Sequence, residues 1–188
     1  MKKFIGVVLI SLICITPVKA EKSDFTWGVK AGLNLSGISG NKNKIWGILP
    51  RYHFGLVGEY LADTWFAVAA ELLLSVQGAD YKVTKDSYMD VYYIALPLMI
   101  RFYPVHWLSI ETGPQLGIAV DITTRDNGKS YKLDSYFYNK FDCEWTVGCT
   151  GYFKRYFASI RGAMGWSNIL QTEASKNYNF QFSIGMKF

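Results

Sequence analysis

"NYNFQFSIGMKF", residues Asn177 to Phe188, places Tyr178, Phe180, Phe182, Ile184, Met186 and Phe188 at every second position. Asn179, Gln181, Ser183, Gly185 and Lys187 stand between them. Side chains of a β-strand point alternately to its two faces, so the stretch reads as a strand with one aromatic-rich apolar face and one polar face. Both faces must find a suitable environment, and the rest of the chain shows what those environments are.

The same period recurs from end to end. In "FTWGVKAGLNLS", Phe25, Trp27, Val29, Ala31, Leu33 and Leu35 alternate with Thr26, Gly28, Lys30, Gly32, Asn34 and Ser36. Further alternating segments run over Tyr52–Tyr60, Trp65–Gly78, Tyr92–Tyr103, Trp107–Asp121, Phe141–Cys149 and Tyr156–Trp166. With the last segment this makes eight strands. Short connections at Leu61–Thr64, Tyr103–His106 and Gly151–Arg155 alternate with long polar ones at Gly37–Arg51, Ala79–Val91, Ile122–Lys140 and Ser167–Lys176. An even strand count with short turns at one end and long loops at the other predicts an all-β fold, an eight-stranded antiparallel up-and-down transmembrane β-barrel. Strands of about twelve residues, tilted by about 40°, span roughly 30 Å, which matches an apolar membrane band.

A secreted lipocalin-like barrel would show the same alternation with its faces exchanged. Side-chain volume decides between them. Phe, Trp, Tyr, Leu and Ile on nearly every strand would overfill a narrow eight-stranded lumen. The other face carries small residues and the charges Lys30, Arg51, Arg101, Arg161 and Lys187 with Glu59, Glu71, Glu111, Asp121, Asp142 and Glu144. Turned inward, these form a lumenal charge network, since buried charge persists only when paired. Facing lipid, each Lys or Arg near mid-membrane would cost about 2–4 kcal/mol. Aromatic residues gather near the short turns (Phe25, Tyr60, Trp65, Phe66, Trp107, Tyr152, Phe153, Tyr156) and near the long loops (Trp46, Tyr92, Phe141, Trp166, Tyr178), as two interfacial girdles would require.

At 188 residues the chain is one domain's worth, with 50% hydrophobic, 16% aromatic and 19% charged residues, too apolar for disorder. Residues 1–20 read as a signal peptide: Lys2 and Lys3, an apolar stretch from Phe4 to Thr16, and a small-residue cleavage site ending at Ala20. Ile13 before Cys14 argues against a lipidated cysteine. The barrel domain is then residues 21–188, exported to the bacterial outer membrane as an integral protein. Removing Lys2, Lys3 and Lys19 takes the formal charge from +5 to +2, and the basic residues form no stripe, so nucleic acid is not an expected partner. Cys143 and Cys149, six residues apart on one strand, lie about 20 Å from each other, too far for a disulfide.

"WGVKAGLNLS", "HFGLVGEY", "AELLLSVQGADY", "YYIALPLMIRFYP", "LSIETGPQLG" and "FQFSIGMKF", in that order over nearly the whole mature chain, resemble the PorT-like outer-membrane β-barrel proteins, also called the porin family. The resemblance implies an eight-stranded outer-membrane barrel and supplies no catalytic residues. One branch is similar to a component of a gliding-associated secretion system. Ala70 stands where the family commonly has proline, and Ala95 where it commonly has an acid.

Catalytic, cofactor and metal sites are not expected. His106 falls in a short turn, and His53 has no acid nearby on its own strand. The cysteines lack a ligand spacing, "DNGK" at Asp126–Lys129 lacks the carboxylates of a calcium loop, and the Asn34-Leu35-Ser36 sequon falls in a membrane strand. The function expected is a non-enzymatic barrel with a salt-bridged lumen. Its long loops would serve interaction or envelope integrity, including membership in a secretion assembly. The alternatives are a small-solute channel and a lipid-modifying enzyme. Expected partners are outer-membrane lipid, an envelope protein reached through the loops, and the barrel assembly machinery. For that machinery the row from Tyr178 to Phe188 serves as the assembly signal.

Overall fold

The computed structural model describes residues 25–39, 46–81, 88–126, 129–132, 140–168 and 176–188. The signal-peptide reading of residues 1–20 lies outside them. Nine strands are described: β1 (Phe25–Ser39), β2 (Trp46–Asp63), β3 (Phe66–Tyr81), β4 (Tyr88–Val105), β5 (Leu108–Asp126), β6 (Lys129–Lys132), β7 (Phe141–Phe153), β8 (Tyr156–Asn168) and β9 (Lys176–Lys187). Eight of them pair with their sequence neighbours, all antiparallel. β1 closes the ring on β9, in register from Gly28↔Lys187 to Ser39↔Lys176. The result is a closed eight-stranded antiparallel β-barrel without free edges.

The ninth strand is a correction to the long loop expected at Ile122–Lys140. β5 continues to Asp126, and β6 pairs back onto it from Thr123↔Lys132 to Asp126↔Lys129, above the stretch of β5 that pairs with β7. The other long connections shrink in the same way. β1 reaches Ser39 and β2 starts at Trp46, so most of Gly37–Arg51 is strand. The alternating signal is weaker there: on β6 the successive residues Ser130, Tyr131 and Lys132 are all exposed. The hydrogen bonds of a ladder need no apolar side. At the opposite end the turns are tight, two residues each at Thr64–Trp65, His106–Trp107 and Lys154–Arg155, with Lys154 in the left-handed region at φ 55°.

The two faces separate as parity demands. Leu33, Leu56, Leu72, Ile110, Phe182 and Ile184 are among the outward side chains left exposed. An exterior this apolar does not suit water. Cys149 is on the exposed side and Cys143 half-exposed, both free thiols. Inside, polar and charged groups share the lumen with Leu73, Met99, Tyr93 and Phe157, all buried. Two glycines make room for the functional side chains. A Cβ on Gly148 would meet the Arg161 Cγ at 2.7 Å, and one on Gly32 would meet the His53 ring at 2.8 Å.

Candidate functional site

Near mid-barrel each of the eight barrel strands sends one polar side chain to a common cluster: Lys30, Glu59, Glu71, Arg101, Glu111, Thr150, Arg161 and Lys187. Glu71 is its hub. Its carboxylate accepts from Lys30 Nζ at 2.8 Å, from Arg161 Nη1 and Nη2 at 2.8 and 2.6 Å, and from Arg101 Nη2 at 3.0 Å. Arg161 thus makes a two-pronged fork on one carboxylate while its Nε donates to Glu111 at 2.6 Å. Arg101 is divided three ways, with Nε on Glu111 at 2.8 Å, Nη2 on Glu71 and Nη1 on Glu59.

Thr150 also donates to Glu111, at 3.0 Å, and Lys187 donates to the far oxygen of Glu59 at 2.6 Å. Arg101 and Arg161 are each 1% exposed and Glu111 not at all. In a low-dielectric interior such a cluster holds because the two arginines and three glutamates each meet two or more opposite partners. A layer of hydroxyls lies on its short-turn side. Tyr103 donates to Tyr152 at 3.2 Å, Ser109 lies 3.1 Å from the same hydroxyl, and the Lys187 ammonium sits 4.3 Å from the Tyr152 ring centre. Tyr152, expected in an outer girdle, therefore faces inward. Its even position on β7 puts it on the side of Thr146 and Thr150.

Above the charges lies a brace around His53. Its Nδ1 is 2.8 Å from Asn34 Oδ1 and its Nε2 is 2.8 Å from Ser183 Oγ. Asn34 is itself fixed by donating to Ser75 at 2.9 Å and to the Val76 carbonyl at 2.7 Å. Serine, histidine and asparagine in this order have the connectivity of a nucleophilic triad. All three are nevertheless buried, and they sit on strands whose neighbouring amides are committed to the ladder, so none is turned toward an oxyanion. The partners of His53 come from β1 and β9, which only the closed register brings to it.

Asp142 and Glu144 form a separate group with Gln115, whose Nε2 donates to Glu144 at 2.6 Å. Two more residues expected in the network also stand apart from it. Arg51 pairs with Asp90 at 2.6 Å and lies 5.0 Å from the Tyr88 ring centre, while Asp121 pairs with the exposed Lys132 at 2.8 Å. Both have inward parity on their strands, yet they belong to the long-loop extension: Arg51 lies within the register shift between Ile48 and His53, and Asp121 at the one between Tyr92 and Tyr93. At the seam the Phe188 ring stacks on Trp27 with centroids 4.5 Å apart, and its N–H donates to the Trp27 carbonyl at 2.7 Å.

A closed barrel with an apolar outside and an interior knitted by paired charges is an outer-membrane β-barrel protein. Comparison with known proteins reaches the family. The chain belongs to the outer membrane protein beta-barrel domain family, whose model matches residues 19–171. Among solved structures it is similar to Neisserial surface protein A, with 10% identity over 86% of this chain and 97% of that one, TM-score 0.60. It is also similar to Ail, the attachment invasion locus protein of Yersinia pestis, with 12% identity over 87% and 98%, TM-score 0.56. These likenesses are of fold. No curated protein sequence matches the chain.

Proposed function

We propose that this chain is a non-enzymatic integral protein of the bacterial outer membrane. Its lumen is sealed, and its work is done by the strand extensions and loops beyond the membrane, in surface interaction or envelope integrity. The observation that carries this reading is the Arg101–Arg161–Glu71–Glu111 cluster, which ties all eight strands together across the lumen and fills the path a solute would take. The His53 brace supports the non-enzymatic part of this reading, because Ser183, His53 and Asn34 are all buried. The PorT-like resemblance of the sequence favours a place in an envelope assembly such as a secretion system, an argument from family likeness. In this reading the chain is delivered by its signal peptide and carries the assembly signal in its last strand.

Two measurements test it. Purified barrel in planar bilayers is expected to show no stable conductance steps, and large, long-lived openings from monomeric protein would refute the sealed lumen. Crosslinking in intact cells followed by recovery of the barrel is expected to capture an envelope protein through the loop end. Repeated recovery of the barrel alone would refute the assembly role.

A further inference from the structure

We propose that the outer wall of the barrel seats one anionic glycerophospholipid of the periplasmic leaflet, with its acyl chains in a groove over β7, β8, β9 and β1 and its headgroup at Lys154 and Arg155. The register lays out the groove. One outward row runs Gly151↔Ala158 from β7 to β8, Ala158↔Ile184 onto β9, Ile184↔Ala31 onto β1 and Ala31↔Phe54 onto β2. Its glycine and two alanines keep the row low, and a Cβ on Gly151 would meet nothing within 4 Å. The next row toward the short turns is bulky: Phe153 and Tyr156, then Met186, Val29 and Leu56. Both rows line an open apolar groove of ≈1200 Å³ on the barrel exterior.

Size, polarity and position name the occupant. The volume exceeds the roughly 300–1,000 Å³ of a drug-sized ligand's site, which suits a ligand with more than one hydrocarbon chain. The groove lies in the membrane-facing wall, so lipid is what bathes it. Short turns of outer-membrane barrels face the periplasm, and the groove's lower end therefore lies in the periplasmic leaflet, among phospholipids.

Charge at that end selects the headgroup. Phe153 and Tyr156 flank the two-residue turn Lys154–Arg155, and both turn residues are exposed. The Lys154 ammonium sits 5.6 Å from the Phe153 ring centre, which ties one charge to the lip of the groove. Among the described residues neither Lys154 nor Arg155 is in a salt bridge, so both cations are open to a phosphate. Trp107, whose carbonyl accepts the Tyr152 N–H at 2.8 Å, lines the same end. Two basic side chains beside amphipathic rings at headgroup level, at the mouth of an apolar groove, match an anionic lipid.

The test uses the folded barrel in detergent, stripped of lipid and mixed with equal amounts of phosphatidylglycerol and phosphatidylethanolamine of matched chains, read by native mass spectrometry. The expected result is one retained phospholipid per monomer, with phosphatidylglycerol preferred about tenfold. Lys154→Asn together with Arg155→Gln should abolish the preference, and asparagine tolerates the φ of 55° at position 154. Gly151→Leu fills the floor of the groove where nothing stands in the way, and should cut retention of both lipids. Lys140→Gln, the same loss of charge at an exposed position beside the long-loop end of β7, should change neither reading. Equal retention of the two lipids by the parent protein would overturn the site. So would a preference that survives the double variant or falls equally in Lys140→Gln, or retention unchanged in Gly151→Leu. Dimers in place of lipid-bearing monomers would give the groove to a second copy instead. The site presupposes an integral barrel, and its failure would leave membrane insertion, read by fractionation, untouched.

Discussion

Glu71→Gln removes the hub of the lumenal cluster, and its cost can be worked from the contacts. The carboxylate accepts four hydrogen bonds from Lys30, Arg101 and Arg161. Charge-assisted bonds contribute about 1.5–3 kcal/mol each, so a naive sum exceeds about 6 kcal/mol. That sum is too high, because Arg101 keeps Glu59 and Glu111 and Arg161 keeps Glu111. Lys30 is different: among the described residues its ion pair is with Glu71 alone, and both side chains are fully buried. The substitution therefore amounts to breaking one buried pair, about 3–5 kcal/mol. With a urea m value of about 2 kcal/mol/M, the unfolding midpoint should fall by roughly 1.5–2.5 M. The assay is urea unfolding in lipid vesicles, followed by tryptophan fluorescence and by the mobility shift of unboiled samples on gels. Because most of the cost is the stranded ammonium, Lys30→Met in the same chain should restore more than half of the loss. A loss under about 1 kcal/mol, the range of an exposed pair, would refute the reasoning. So would a double variant no more stable than Glu71→Gln alone.

Arg51→Ala should cost less than Arg101→Ala by the same assay, since Arg51 makes one part-buried ion pair, with Asp90, whereas Arg101 serves three carboxylates from a fully buried position. Deleting Phe188 removes its stack on Trp27, worth about 0.5–1.5 kcal/mol, and its seam hydrogen bond. Detergent refolding should be nearly normal while outer-membrane levels fall, read by membrane fractionation, and unaffected levels would refute the assembly role. In the turn after β2, the Thr64 N–H and then the Thr64 hydroxyl hold the Asp63 carboxyl below its ordinary value of 3.8. A lowered pKa gives stability that is present above the unfolded value and lost as pH falls through the folded one. The gap in unfolding midpoint between the parent and Asp63→Asn should therefore be constant at neutral pH and close below 3.8.

What could be read from the sequence follows from where period 2 is enforced. Between lipid and a crowded lumen every residue must choose a side, so Leu33, Leu56 and Ile184 declare outward and Arg101 and Arg161 inward without any knowledge of pairing. Above the membrane the rule lapses. The ends of β1 and β2 and the whole of β6 left no pattern to detect, and Arg51 and Asp121 kept inward parity without entering the cluster. Tyr152 shows the opposite error: its parity was legible, and its aromatic character suggested the girdle instead. The partners of His53 required register, because Asn34 and Ser183 lie 19 and 130 positions away.

That one polar side chain comes from each strand also bears on how the barrel is made. Arg161 and Glu71 are 90 positions apart, and Lys187 and Glu59 are 128 apart. Such contacts reward the chain only after long loops have closed, which makes assembly slow and cooperative. A sheet stopped at β4 holds Arg101 and Lys30 but lacks Glu111. One stopped at β8 holds Glu59 without Lys187. Every partial sheet therefore carries a misfit of charge toward lipid, and the misfit is relieved only when β9 meets β1. The lumenal cluster thus works as a completeness check, under which half-built barrels gain little from waiting in the membrane and the finished one has little reason to reopen.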